Sequence, residues 1–226
     1  MDTAELTFEV HPTETVLNRA ATQIAERLRE RLMAAPRASL ALSGGQSTVG
    51  LCEALASRTL DWGRVDLFQV DERAVPPEHE ESNARLLQVH LIDALGERAP
   101  TFHRMQGERD DLEAAAADYA QQLPKRLDVV VLGVGPDGHT ASLFPDSPLL
   151  EEQERRVAVV TDSPKPPPRR LTLTFPVLRA ADAVFGVALG GGKREVMQAL
   201  RQGVALPAAR VRPAHWFLDP AAAGEG

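Results

Sequence analysis

Asp137 and His139 lie two residues apart in a glycine-rich loop, and they are the strongest candidates for chemistry in this sequence. The loop reads Gly-Val-Gly-Pro-Asp-Gly-His over residues 133–139. Its glycines permit a tight turn and a close approach by a ligand, because no Cβ restricts the backbone. Histidine titrates near neutral pH and can take up or release a proton during a reaction. The simpler interpretation is a glycine turn that carries solvated polar residues.

The segment before this loop favours the catalytic interpretation. Residues 127–132 read Leu-Asp-Val-Val-Val-Leu, a β-branched apolar run that is typical of a strand buried on both faces of a parallel sheet. In open α/β sheets, ligands bind beyond the carboxyl ends of the strands, which is where residues 133–139 must lie. We therefore expect Asp137 and His139 to take part in catalysis.

The same glycines spell G-x-G-x-x-G, the pattern of dinucleotide-binding sites, but the surrounding residues do not fit that pattern. The motif should open a helix, whereas Pro136 lies inside the loop and Pro145 and Pro148 interrupt the residues that follow. No amphipathic helix begins after Gly138. We therefore reject NAD as the ligand.

Glycines also follow the predicted strand at 39–42. Gly44 and Gly45 lead into a helix there, an arrangement that presents unpaired helix amides to an anion. The alternative is an ordinary strand-to-helix turn capped by Ser47 or Thr48. The pattern alone does not decide between these two interpretations.

Charged residues end the next predicted strand, at 65–70. The sequence there is Asp71-Glu72-Arg73. Arg73 can hold a phosphate through a forked set of donors, and Asp71 or Glu72 can orient that arginine or bind sugar hydroxyls. A surface ion pair is the alternative. The preceding glycine loop favours a binding site.

Two later segments add positive charge. A proline-rich turn at 163–170 lies between predicted strands at 157–160 and 171–175, and it would place Arg169 or Arg170 towards an anionic ligand. Lys193 follows three glycines and can bind phosphate as a point charge. The following residue is arginine instead of serine or threonine, so a P-loop with Mg²⁺ is not indicated.

Length and composition limit the classes of function. The 226 residues suffice for one large α/β domain, predicted over 1–226, and the 43% hydrophobic content is ordinary for a globular protein. A formal net charge of -7 argues against nucleic-acid and anionic-membrane partners. Cys52 is the single cysteine, and no signal peptide or membrane-spanning run is evident, so we expect a cytoplasmic protein. The six histidines lack metal-ligand spacing, and we expect no metal.

Four motifs in this order resemble those of the 6-phosphogluconolactonase family, the sugar-phosphate lactone hydrolases of the pentose phosphate pathway. The motifs are Ser43-Gly44-Gly45, Asp71-Glu72-Arg73, the segment 133–145 and Gly191-Gly192-Lys193. The segment 166–172 also fits, so the resemblance spans nearly the whole chain.

The resemblance implies hydrolysis of 6-phospho-D-glucono-1,5-lactone to 6-phosphogluconate on a Rossmann-like three-layer α/β fold. Such a fold has a mostly parallel central sheet flanked by helices. No cofactor is implied, and the expected partner is the phosphorylated lactone, with the protein a monomer or weak homodimer. His139 matches the family's general base, Asp137 its motif aspartate, and Arg73 and Lys193 its phosphate-binding pair. Further pocket positions are matched by Gly44, Gly45, Asp71 and Arg169.

Two differences from the family pattern fall in the first loop. Gln46 is inserted after the glycine pair, and Val49 occupies a position where proline is common.

Two alternative functions stay open at this point. The related glucosamine-6-phosphate deaminases share the Asp-Gly-His loop, but they carry Asn-Glu-Pro where this chain has Leu143-Phe144-Pro145. A sugar-phosphate sensor without catalysis is the other alternative.

Overall fold

Seven parallel strands form the central sheet of the computed structural model, which describes residues 5–212 and 214–225. Their order across the sheet is β1-β10-β9-β6-β2-β3-β5. The strands are β1 (Leu6–Val10), β2 (Ala38–Leu42), β3 (Val65–Gln69), β4 (Asp71–Arg73), β5 (Thr101–His103), β6 (Val129–Leu132), β7 (Val157–Val160), β8 (Arg170–Leu173), β9 (Ala183–Ala188) and β10 (Ala214–Leu218). The predicted parallel α/β sheet is confirmed.

Helices cover both faces of this sheet, which gives the predicted three layers. They are α1 (Thr13–Ala34), α2 (Gln46–Ala56), α3 (Asn83–Leu87), α4 (Asp93–Leu95), α5 (Leu112–Gln122), α6 (Phe175–Ala180), α7 (Arg194–Arg201) and α8 (Pro220–Ala223). A π-helical turn at Gln88–Ile92 joins α3 to α4, so the helical segment after Ser82 is continuous but not uniform.

The central strand β6 shows why its sequence is apolar throughout. Val129 and Val131 pack into a core with α1 and α2, whereas Val130 and Leu132 pack into a second core with α5 and α7. All four side chains are at most 4% exposed. Because successive strand residues point to opposite faces, a strand between two helical layers needs apolar residues at every position. This burial fixes where the loop at 133–139 leaves the sheet.

A second, antiparallel sheet has the order β4-β8-β7. The sequence predicted Asp71-Glu72-Arg73 as the end of the preceding strand, but these residues form a strand of the second sheet. Val70 is the point of transfer: its N–H donates to Leu42 O of the large sheet, and its carbonyl accepts from Leu173 N of the small one. The transfer places Asp71 and Arg73 next to β8.

Among residues 5–212 and 214–225, no helix combines the length and the hydrophobicity that a membrane crossing requires. The cytoplasmic location stays a prediction, as does the oligomeric state.

Candidate active site

The loop after β6 folds back on itself and brings Asp137 against His139. The N–H of Gly135 donates to the carbonyl of His139 at 2.8 Å, and the N–H of Gly138 donates to the carbonyl of Gly135 at 2.9 Å. Gly138 has a φ of +84°, a left-handed conformation that glycine adopts without a steric penalty. The turn therefore sets the distance between the two titratable side chains.

Nδ1 of His139 lies 2.5 Å from Oδ1 of Asp137. Burial lowers the pKa of His139 below its ordinary value, and the contact with Asp137 opposes this shift without reversing it. Burial by itself raises the pKa of Asp137, but the hydrogen bond to His139 and the nearby positive charges outweigh it, so the pKa of Asp137 is lowered. An ionised Asp137 beside a neutral His139 places the imidazole proton on Nδ1.

Nε2 of His139 is the ring nitrogen left for a ligand. It has no hydrogen-bond partner in the described part of the chain. It is also absent from the fully buried polar atoms without a partner, so it is open to the cavity. The ring of Phe144 packs against the imidazole with centroids 4.5 Å apart. Since Nδ1 is engaged by Asp137, Nε2 carries the free lone pair that a general base needs.

Gly135 is required for this geometry, and its replacement gives a first prediction. A Cβ at this position would lie 2.0 Å from Nδ1 of His139 and 2.4 Å from Oδ1 of Asp137. Gly135→Ala must therefore displace the imidazole. We expect kcat to fall by roughly 10- to 100-fold in the lactone hydrolysis that the sequence resemblance implies, since a displacement of about 1 Å can have that effect. Steady-state kinetics on the purified variant measures this loss.

The control for Gly135→Ala is Gly63→Ala. A Cβ at Gly63 would make an ordinary contact, 3.8 Å from Oδ1 of Asp61. Gly63 precedes the amino end of β3, whereas the loop follows the carboxyl end of β6. Far-ultraviolet circular dichroism of both variants separates loss of fold from loss of alignment. A folded Gly135→Ala protein with wild-type turnover would show that the loop geometry does not matter.

Arg73 and Arg170 are directly opposite each other in the pairing of β4 with β8. Opposed residues of antiparallel strands place their side chains on the same face, and like charges in such positions repel. Asp71 pairs with Thr172 two positions further along, and it is 6% exposed. Two arginines brought together in this way form a site suited to an anion, and the carboxylate of Asp71 partly compensates the charge of Arg170.

Asn83 connects these charged groups. Its amide nitrogen donates to the carbonyl of Asp71 at 2.9 Å, and its amide oxygen accepts from NH1 of Arg73 at 3.0 Å. A Cβ at Gly44 would lie 1.8 Å from the amide oxygen of Asn83, so Gly44 is needed there to make room for Asn83. Gly44 thus supports the arginine site by packing. Gly45 is needed for a different reason, since its φ of +111° is a backbone conformation that favours glycine.

Glu72 points away from the cavity into a buried polar network, although Asp71 and Arg73 on either side line the cavity. Its carboxylate accepts hydrogen bonds from five donors, and Glu72 therefore ties β4 to the start of α3. The donors are the side chains of Gln69 and Ser82 and the N–H groups of Arg73, Asn83 and Ala84.

We expect Glu72→Gln to lower the free energy of unfolding by roughly 2 to 4 kcal/mol, because an amide replaces one acceptor oxygen with a group that cannot accept. Urea denaturation measures the change. The exposed Glu97→Gln variant is the matched control and should shift stability by less than about 0.5 kcal/mol. An unfolding midpoint for Glu72→Gln equal to that of the wild type would contradict the assigned network.

Lys193 reaches the same region from the turn Gly191–Lys193, which precedes α7. Its ammonium group donates to the carbonyl of Val134 at 2.8 Å. Burial lowers the pKa of Lys193 below its ordinary value, and the positive charge of Lys165 adds to that effect. The contact with Val134 holds Lys193 beside the loop that carries Asp137 and His139.

These groups border one cavity of about 280 Å³ at the carboxyl ends of β2, β6 and β9. Six of the residues predicted for the site line it: Gly44, Gly45, Asp71, Arg73, His139 and Lys193. Asp137 is not among the lining residues and contacts His139 from the loop itself. The cavity therefore combines one titratable imidazole, supported from the loop by Asp137, with several positive charges.

Arg169 is a correction to the predicted set. Its side chain is exposed and does not line the cavity, whereas the adjacent Arg170 is 4% exposed and does. The β4–β8 register explains the difference, because Arg170 is the residue opposite Arg73. The sequence allowed either arginine, and only the strand pairing decides between them.

Sequence reasoning also missed Asn83 and Lys165, which both line the cavity. A signal existed for Lys165, since it lies in the proline-rich turn that was expected to face the ligand. Asn83 follows Ser82, the N-cap of α3, and a polar residue at such a position is ordinary. The reach of Asn83 to Asp71 and Arg73 depends on the unpredicted strand β4.

Comparison with known proteins gives one family match and close relatives. Residues 12–218 match the family described as glucosamine-6-phosphate isomerases/6-phosphogluconolactonase. A 6-phosphogluconolactonase from Homo sapiens is 41% identical, and the aligned region covers 96% of this chain and 92% of the human protein. The solved structure of a 6-phosphogluconolactonase from Thermotoga maritima superposes with a TM-score of 0.86 at 25% identity, covering 95% of this chain and 100% of that one.

The fold alone does not separate the two activities of this family. A monomeric glucosamine-6-phosphate deaminase superposes with a TM-score of 0.82 at 20% identity, over 98% of this chain and 100% of that one. The distinction must therefore come from the residues of the site.

Proposed function

The chain belongs to the family of glucosamine-6-phosphate isomerases and 6-phosphogluconolactonases, and we propose that it hydrolyses 6-phospho-D-glucono-1,5-lactone to 6-phosphogluconate. One observation carries the proposal at the level of chemistry. His139, which is hydrogen-bonded to Asp137 in the loop behind it, borders the same cavity as Arg73, Arg170 and Lys193. A general base and an anion site in one cavity suit a lactone that bears a phosphate.

His139 is the general base of the proposed reaction. Nε2 takes a proton from a water molecule as that water attacks the lactone carbonyl carbon. The same nitrogen then returns a proton to the ring oxygen when the carbon–oxygen bond breaks, so one imidazole serves both steps. Asp137 holds the ring orientation through Nδ1 and stabilises the imidazolium that forms between the two steps.

Arg73 and Lys193 bind the phosphate in this account, and Arg170 adds a third positive charge. The guanidinium groups of Arg73 and Arg170 come from opposed strands, while Lys193 comes from the turn before α7. The phosphate is remote from the reacting carbon, so its binding energy orients the lactone without taking part in bond cleavage. Asp71 lies beside the arginines and can accept a hydrogen bond from a sugar hydroxyl.

Phe144 supports lactone hydrolysis over deamination. It occupies the position where the deaminases carry glutamate, and its ring is 3% exposed and packed against His139. A phenyl ring can neither donate nor accept a proton, so the acid/base step that the glutamate assists has no group here. The packing instead restricts the orientation of the imidazole.

The decisive assay measures opening of 6-phosphogluconolactone by the purified protein, corrected for the spontaneous reaction, with ammonia release from glucosamine 6-phosphate in parallel. We expect lactone opening well above the spontaneous rate and no ammonia. Ammonia release would instead assign the deaminase reaction. Binding of the lactone without turnover would assign a sensor.

A further inference from the structure

Lys165 brings an additional charged group to the Asp137–His139 pair from a distant part of the chain. Its Nζ lies 3.4 Å from Nδ1 of His139 and 3.5 Å from Oδ1 of Asp137. The side chain is 40% exposed and borders the cavity. Because Nδ1 carries the proton shared with Asp137, Lys165 faces the pair as a positive charge and does not donate to the imidazole.

The loop that carries Lys165 is held by its own hydrogen bonds. The Ser163 hydroxyl accepts from the N–H of Lys165 at 3.2 Å and donates to its carbonyl at 2.8 Å. The N–H of Ser163 donates to the carbonyl of Pro168 at 2.9 Å, which closes the loop. The backbone of Lys165 is therefore fixed, and only the side chain extends to the catalytic pair.

Arg170 ties this loop to the catalytic histidine. Its guanidinium donates to the carbonyls of Lys165 at 2.9 Å and Pro167 at 3.1 Å. It also lies over the ring of Phe144, 5.5 Å from the centroid, and Phe144 in turn packs against His139. The positions of Lys165 and His139 are thus linked through one buried arginine.

Charged groups on three elements act on the imidazole of His139. Asp137 comes from the same loop, Lys165 from the 163–169 loop and Asp71 from β4. Burial lowers the pKa of His139 most, the two aspartates oppose that shift, and Lys165 adds to it. The charged side chains that border the rest of the cavity are those of Arg73, Arg170 and Lys193.

We propose that Lys165 is a positioning residue for catalysis, whose ammonium group lies beside both side chains and adds to the preference for an ionised Asp137 and a neutral His139 in the resting enzyme. The proposal rests on the proposed lactonase function, since a general base must begin the reaction without its proton. Lys165 also acts after the first proton transfer. The imidazolium then lies beside one negative and one positive charge, and the positive charge favours return of the proton to the departing ring oxygen.

The experiment has two readouts. One is the midpoint of the NMR titration of the His139 imidazole in the free protein, and the other is the midpoint at which kcat/KM for the lactone falls as the pH is lowered. The proteins are the wild type, Lys165→Met, Lys165→Arg and the exposed control Lys125→Met. We expect both midpoints to rise by roughly half a pH unit to one pH unit in Lys165→Met, the size expected for a partly exposed charge. Lys165→Arg and Lys125→Met should stay near the wild type.

An unchanged His139 midpoint in a folded Lys165→Met protein would overturn the proposal. If KM also rises about tenfold in that protein, which corresponds to about 1.4 kcal/mol, Lys165 is a substrate contact instead. The NMR titration needs no turnover, so it tests the effect of Lys165 on His139 even in a protein without lactonase activity. Absence of that activity in the wild type would count against the proposed function alone.

Discussion

Replacing His139 with alanine is expected to lower kcat for 6-phosphogluconolactone by about 10²- to 10⁴-fold, the usual contribution of a general acid/base group. The reason is specific to this site. Among the residues that the structure describes, His139 is the histidine that borders the cavity. Its Nδ1 is engaged by Asp137, which leaves Nε2 to accept a proton from water. KM should change little, since the imidazole is assigned to the reaction and not to phosphate binding.

His139→Asn is a useful companion to the alanine variant. Asparagine can keep a polar contact to Asp137 but cannot take up a proton, so the two variants should lose similar turnover. Initial rates at several lactone concentrations, corrected for spontaneous opening, give kcat and KM separately. A variant that keeps wild-type kcat would remove His139 from the mechanism.

Arg73→Ala is expected to raise KM for the phosphorylated lactone by roughly 30- to 150-fold, because a charge-assisted hydrogen bond contributes about 2 to 3 kcal/mol. NH1 of Arg73 is used by Asn83 and by the carbonyl of Glu81. The guanidinium is thereby held at the cavity edge opposite Arg170. We expect kcat to change by less than about fivefold, since the phosphate is remote from the reacting carbon.

Two controls make the Arg73 prediction specific. Arg169→Ala removes an exposed arginine outside the cavity and should leave both kinetic constants unchanged. Unphosphorylated glucono-1,5-lactone lacks the group that Arg73 binds, so the wild type and Arg73→Ala should open it at similar kcat/KM. An equal loss on both lactones would show that Arg73 supports the fold or the reaction instead of the phosphate.

Much of the fold could be predicted from local patterns. The apolar run before Gly133 indicated a strand buried on both faces, and β6 is such a strand because helices pack on each side of it. The carboxyl-end rule then placed the catalytic loop beside the glycine loop that follows β2. Both inferences needed only residues close in sequence and the general behaviour of parallel sheets.

Contacts between distant segments were beyond the reach of the sequence. The choice between Arg169 and Arg170 depends on the register of β4 with β8, and β4 itself was expected to continue the preceding strand. Gly44 is needed because Asn83, the first residue of α3, occupies the position that a Cβ on Gly44 would take. This contact joins two segments that are distant in sequence. The roles of Asp137, His139 and the positive residues stay predictions until activity is measured.

The pH dependence of kcat/KM tests the central claim, that neutral His139 is the base, most directly. A base must be unprotonated, and burial lowers the pKa of His139 below its ordinary value of about 6.5. In the wild type, kcat/KM should therefore be at its maximum at neutral pH and fall as the pH drops through a midpoint below about 6.5. The residual activity of His139→Asn should not show this fall at acid pH. The same acid limb in wild type and His139→Asn would contradict the account.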